Sequence, residues 1–262
     1  MVEAGGLSHK IIPGSVILLS MVPKVKKLLK QYNTTSLREL AKELKISLDK
    51  IKNISCGRTS FVSLFRKKSQ YRIFPRRSEK LAELIGVTLG DGNIFQFDRC
   101  QRLMISCNSA YRKYIEHIYH LVKSVFKKEP CIAKRTGANC YDVRLYMQDI
   151  DKTLELPVGN KIKNKVAIPA WIFKKKEYLI RCLKGLFETD GHYGLNKKFH
   201  VEYMQFCNKS NSLRESVFRA LLSLGYSPQL GNSYVRLAKK AQVHKFFNEV
   251  GFVRPFPSLM KG

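Results

Sequence analysis

Leu84-Ile85-Gly86-Val87-Thr88-Leu89-Gly90-Asp91-Gly92 and Leu183-Lys184-Gly185-Leu186-Phe187-Glu188-Thr189-Asp190-Gly191 read as one stretch written twice. Each is an apolar segment of helical length with small residues on one face, and each ends in Asp-Gly. Ala82, Gly86 and Gly90 fall at i, i+4 and i+8, and Gly185 and Thr189 take the places of Gly86 and Gly90 in the second copy. Glycine inside a helix costs about 1 kcal/mol. A sequence that accepts this twice predicts two helices whose backbones pack on each other.

Asp91 and Asp190 would then stand at helix C-termini, where the macrodipole disfavours a carboxylate. Gly92 and Gly191 are expected to close the helices as left-handed residues. Bringing both ends together adds repulsion between like charges, and a cation relieves it. Hard oxygen ligands in an open setting suit Mg²⁺, or another divalent cation such as Mn²⁺. One copy alone would read as an ordinary Asp-Gly turn; two copies in register weigh against that.

The flanks repeat as well. After the first stretch the pattern predicts strands at 93–97 and 102–107, a helix at 109–126, strands at 131–135 and 141–145, and a helix at 148–154. After the second it predicts strands near 199–207, a helix at 210–224, strands near 229 and at 233–237, and a helix at 241–250. Val-Arg-Leu recurs at 143–145 and 235–237 in the same place in this order. An internal αββαββα duplication follows.

Charge gives the partner class. The 262 residues carry 48 Lys+Arg against 20 Asp+Glu, a net charge of +28. The excess runs through both the first 80 residues and the remainder, so it belongs to folded segments and favours a polyanion over a membrane surface. Seven cysteines with no Cys-x-x-Cys pair argue against a disulfide framework or zinc ribbon and suit a reducing intracellular compartment. No signal peptide or transmembrane segment is expected, because the apolar run at 11–22 is broken by Pro13 and Gly14.

Ahead of the duplication, Ser36-Leu37-Arg38-Glu39 has capping-box spacing. Helices at 37–44 and 48–55, joined by a tight turn, predict a small all-α helix-turn-helix. Leu40-Ala41-Lys42-Glu43-Leu44-Lys45-Ile46-Ser47 is similar to the helix-turn-helix core of Cro-type repressors; an unspecialised αα-hairpin is the alternative. DNA contacts would come from Ser47, Lys50, Lys52, Asn53 and Arg58, with Arg76 and Arg77 in a basic linker that follows phosphates. The expected division is 1–70 for this domain and its linker, 71–172 for the first repeat and 173–262 for the second.

The two stretches resemble the paired motifs of LAGLIDADG homing endonucleases in their single-chain form, over about residues 78–255. The resemblance implies an α+β fold of two pseudo-twofold αββαββα repeats, with antiparallel sheets saddling the DNA major groove. It implies a monomeric, divalent-metal-dependent endonuclease that cuts double-stranded DNA at a long site, across the minor groove, leaving a staggered break. The metal site would comprise Asp91 and Asp190 with the preceding residues Gly90 and Thr189.

The family's polar helper near the scissile phosphate would be Lys209 in the second copy and Asn108 in the first, a mismatch that questions equal cutting of both strands. Alternation along the strands suggests base contacts from Arg102, Lys134, Arg144 and Tyr146, and from His200, Gln229 and Arg236. An intron RNA maturase and a DNA-binding regulator that has lost cleavage are the alternatives.

Overall fold

The computed structural model describes residues 75–196 and 201–256, together with 42 and 47–49. The helix-turn-helix expectation, with Lys50, Lys52, Asn53 and Arg58, lies outside the described residues, and so does His200. By its contacts the chain divides into Met1–Ile73 and Phe74–Gly262. The second unit contains both copies of the duplicated stretch.

Ser78 caps the first helix, its Oγ accepting from Leu81 N at 3.3 Å. The first repeat runs α1 (Glu79–Gly90), β1 (Gly92–Gln96), β2 (Gln101–Asn108), α2 (Arg112–Phe126), β3 (Cys131–Lys134), β4 (Cys140–Met147) and α3 (Ile150–Leu154). A connector containing the 3₁₀ helix Ala170–Lys174 leads to the second repeat. That comprises α4 (Lys176–Asp190), β5 (Gly191–Asn196), β6 (Val201–Cys207), α5 (Asn211–Ser223), β7 (Gln229–Leu230), β8 (Tyr234–Leu237) and α6 (Lys240–Val250). The fold is α+β: two αββαββα units, each with a four-stranded antiparallel sheet, ordered β1-β2-β4-β3 and β5-β6-β8-β7.

β5 is where the pattern reading falls short. Gly191-His192-Tyr193-Gly194-Leu195-Asn196 has too few β-branched residues to announce a strand, yet it pairs along its whole length with β6.

Alternation builds each sheet. In β2, Leu103, Ile105 and Cys107 are buried while Arg102, Met104 and Ser106 alternate with them toward the other face. α2 covers the buried face with Tyr114, Ile115, Ile118, Leu121, Val122 and Val125, an apolar stripe at helical spacing. Met204, Phe206, Val235 and Leu237 do the same in the second sheet, under α4 and α6.

α1 and α4 pack backbone to backbone, and the glycines explain how. A Cβ on Gly86 would overlap the carbonyl oxygen of Cys182, and one on Gly185 would overlap that of Glu83. Gly92 and Gly191 depart from expectation, since neither has a positive φ. Each instead opens a strand that doubles straight back over its helix, where a side chain would strike the backbone of Thr88 or Phe187.

Beside this crossing lies a buried charge group. Lys184 Nζ is 3.0 Å from Glu83 Oε1, and His117 Nε2 approaches the same oxygen at 2.5 Å. Burial works against the Glu83 charge, but His117 and Lys184 outweigh it and hold the carboxyl below its ordinary range. His117 is thus an interhelical packing residue. No helix among the described residues is long and apolar enough to cross a membrane.

Candidate functional site

α1 and α4 end side by side, and Asp91 and Asp190 face each other closely enough for one charge to disturb the other. Asp91 keeps solvent contact, yet the protein around it displaces much of its water. This burial, followed by the charge of Asp190, pushes its pKa up to about 6. Burial also raises Asp190, against the opposing pull of Asn208, Lys161 and Arg254.

Two cations answer the helix ends. Lys161 Nζ donates to the carbonyls of Thr88 at 3.2 Å, Leu89 at 2.8 Å and Gly90, and burial lowers its pKa. Arg254 Nη2 donates to Gly191 O at 2.7 Å and approaches Phe187 O at 3.5 Å. Lys161 follows the last helix of the first repeat and Arg254 the last helix of the second, so these residues correspond. Lys161 partly neutralises the negative end of α1 and Arg254 that of α4. Glu188 fixes the Arg254 segment, its Oε1 accepting from Val253 N at 2.5 Å and Arg254 N at 3.3 Å.

The ladders set the correspondence between repeats. Gly92 pairs with Ile105 as Gly191 pairs with Phe206, and Val143 and Val235 continue the same rungs. Cys107 therefore matches Asn208, and Asn108 matches Lys209. Asn208 Nδ2 donates to Asp190 Oδ2 at 2.7 Å. Cys107 stands near Asp91 as a buried thiol whose pKa is pushed up to about 12, by burial first and Asp91 second. The polar residue that meets its aspartate is thus Asn208. Asn108 instead accepts from Ala110 N at 2.9 Å in its own turn.

A cleft of about 480 Å³ opens beside Asp190, lined by Gly90, Lys161, Asn208 and Lys209 among others. Thr189 Oγ1 turns back to the carbonyls of Gly185 at 3.0 Å and Leu186 at 2.8 Å, and Lys161 occupies the Gly90 carbonyl.

The sheet faces turned away from the helices carry most of the remaining candidates. On the first, Arg102 pairs with Tyr146, and Arg144 is one rung along. Asp142 holds Arg144 Nη2 at 2.7 Å and Arg135 Nη2 at 2.8 Å; against its burial, these bonds and that from Ser106 keep its pKa low. Lys134 pairs with Tyr141, which shares a rung with the inward Cys107, and so points to the other face. On the second sheet His192, Gln205, Arg236 and Gln229 form one rung across all four strands. Arg236 Nε donates to Gln205 Oε1 at 2.8 Å, its guanidinium between the rings of Tyr203 at 4.6 Å and Tyr234 at 4.5 Å.

Arg77 is elsewhere. It bonds Glu155 at 3.3 Å and lies over Trp171 near the start of α1, a helix length, roughly 18 Å, from Asp91. Arg76 is its exposed neighbour. Pattern reading missed Arg254 and the contact of Asn208 with Asp190. The one available signal was positional: Arg254 follows its repeat's last helix, as Lys161 does.

Residues 177–251 match the sequence model of the LAGLIDADG-like domain. No curated protein sequence matches the chain. Among solved structures, the homing endonuclease I-DmoI in complex with DNA and Mn is 18% identical, covering 66% of this chain and 96% of its own, with a TM-score of 0.47. I-WcaI bound to its DNA recognition sequence is 19% identical over 74% of this chain and 88% of its own, at 0.48. The N-terminal LAGLIDADG domain of DUF199/WhiA is 13% identical over 69% and 86%, at 0.46.

Proposed function

We propose that this protein is a site-specific, divalent-metal-dependent DNA endonuclease of the homing type that acts as a monomer. The observation that carries it is the convergence of Asp91 and Asp190 between two helix ends held together by Gly86 and Gly185. Two carboxylates raised above their ordinary range by burial, Asp91 further by the charge of Asp190, are unfinished electrostatics. Lys161 and Arg254 offset the helix dipoles, while the acids still favour a shared cation. The donors are oxygens, which fits Mg²⁺ or Mn²⁺.

Asp91 and Asp190 would hold the metal. When bound, it supplies an activated water and stabilises the leaving oxygen of a phosphodiester. Asn208 favours the ionised form of Asp190 and orients it. Lys209 and Lys161, in the cleft beside it, offset the charge of a phosphate entering there. The outer sheet faces would read base edges, with Arg236, Gln205, Gln229 and His192 on one sheet and Arg102, Arg144 and Tyr146 on the other. Two such saddles joined through α1 and α4 suit a long duplex site cut once per strand, with a staggered break.

A DNA-binding regulator without cleavage is the second reading. What favours it is the thiol of Cys107 beside Asp91, where the other repeat has the amide of Asn208. Incubation of a randomised duplex library with protein and Mg²⁺, followed by sequencing of the ends, separates the two. Endonuclease action gives defined ends that vanish in Asp91→Asn and Asp190→Asn. Selected binding without ends establishes the regulator. Intron RNA bound in preference to any duplex would indicate a maturase.

A further inference from the structure

The two sheets match rung for rung but offer different chemistry at one place. On the first, Phe95 pairs with Arg102 and Arg102 with Tyr146, an outward rung across β1, β2 and β4. Phe97 joins it, with ring centroids 4.8 Å from Phe95 and 6.3 Å from Tyr146. Phe95, Phe97 and Tyr146 are 47%, 38% and 41% exposed, a cluster of large uncovered rings on one face. The guanidinium of Arg102 lies 5.7 Å from the Phe95 ring and 5.6 Å from Phe97. The second sheet has Gly194 opposite Tyr203 at this rung, and Tyr203 is engaged with Arg236.

Three exposed rings cost solubility unless something covers them. The cation among them and the net charge of +28 select a polyanion. The rung lies on the same face as Arg144, so its occupant is the occupant of that face. In the major groove of duplex DNA, one apolar group is presented to such a surface, the C5 methyl of thymine.

We propose that Phe95, Phe97 and Tyr146 form a thymine-methyl contact site, so that one half of the target carries thymines at fixed positions. Arg102 anchors the neighbouring backbone or a guanine edge. The other half is read by the polar rung of His192, Gln205, Arg236 and Gln229. The assignment rests on the reading of the sheets as duplex-binding faces, and it makes the target chemically asymmetric although the fold is pseudo-symmetric.

The test uses the full chain and two randomised duplex libraries of the same design, one built with thymine and one with uracil, in Ca²⁺ so that binding is read without cutting. Selection from the thymine library should show thymine preference concentrated in one half-site. In the uracil library that preference should fall by roughly fourfold per contacted methyl, with the other half-site unchanged. Phe95→Ser with Tyr146→Ser should reproduce this loss on thymine DNA, with the fold checked by an unchanged melting temperature. Identical preferences from both libraries overturn the thymine site while leaving duplex binding intact. Binding of neither library, or tighter binding of single-stranded RNA competitor, overturns the duplex reading and this inference together.

Discussion

Asn208 Nδ2 donates to Asp190 Oδ2 at 2.7 Å, whereas the residue in the same register beside Asp91 is Cys107. An amide stabilises the ionised carboxylate; a thiol held at a pKa of about 12 does so far more weakly. The two halves of the proposed metal site therefore differ in readiness. Cys107→Asn should supply the missing donor, lower the Asp91 pKa and move the acid limb of the cleavage profile down by up to about one pH unit. Asn208→Ala should do the opposite to Asp190 and slow cutting of one strand about tenfold. Supercoiled plasmid carrying the selected site reads both, since unequal strands accumulate nicked circles. Equal slowing of both strands would show that the amide belongs to neither half in particular.

The raised Asp91 pKa also sets a direction for stability. A carboxyl titrating at about 6 in the folded protein, against 3.8 as its reference, binds its proton more tightly when folded. The folded state therefore holds more protons between those values. Metal-free stability should fall as pH rises from about 4 to 6 through this group and level off above. With the remaining solvent contact of Asp91 discounted, about 1 kcal/mol is expected. Asp91→Asn should flatten that part of the curve, read by urea titration in EDTA. Mg²⁺ should restore stability, and more so above pH 6, where Asp91 is ionised.

The crossing of α1 and α4 was legible in the sequence because glycine recurs at matching helical positions, and a close backbone approach is what offsets its cost there. Gly86 and Gly185 both lie against a carbonyl of the opposite helix. A Gly86→Ala substitution must push Cys182 backbone away and should cost about 3 kcal/mol or more, with Gly185→Ala similar. Gly137, where an added Cβ meets nothing within 4 Å although φ is +73°, is the control, and Gly137→Ala should cost about 1 kcal/mol from backbone strain alone. Chemical denaturation of the three variants checks the order.

What the sequence hid has physical reasons. Gly92 and Gly191 look like helix-closing glycines because Asp-Gly usually turns left-handed, but here the chain reverses straight into a strand and the glycine is there for clearance. Lys134 falls on the inner face because one residue of register exchanges faces, and alternation alone could not fix that register. Arg254 and Asn208 were hidden because they meet the acids through tertiary contacts. The αββαββα order itself was readable, since two copies of a pattern test each other.

Lys161 carries the last prediction. Its ammonium touches three carbonyls at the end of α1, while the charges of Asp91 and Asp190 both favour keeping it protonated. Lys161→Met keeps the stem and removes the charge, exposing the helix end and leaving Arg254 as the cation that still offsets both acids. Stability should fall by about 1–2 kcal/mol, and both carboxyl pKa values should rise. If Lys161 serves only the helix, cleavage at saturating Mg²⁺ should fall no further than the lost fold accounts for, and Lys161→Arg should restore it. If it also meets the phosphate, the single-turnover rate should drop about a hundredfold in a variant still fully folded at the assay temperature. Duplex affinity measured in Ca²⁺ separates the two, because losing a phosphate contact also reduces the salt dependence of binding by about one ion.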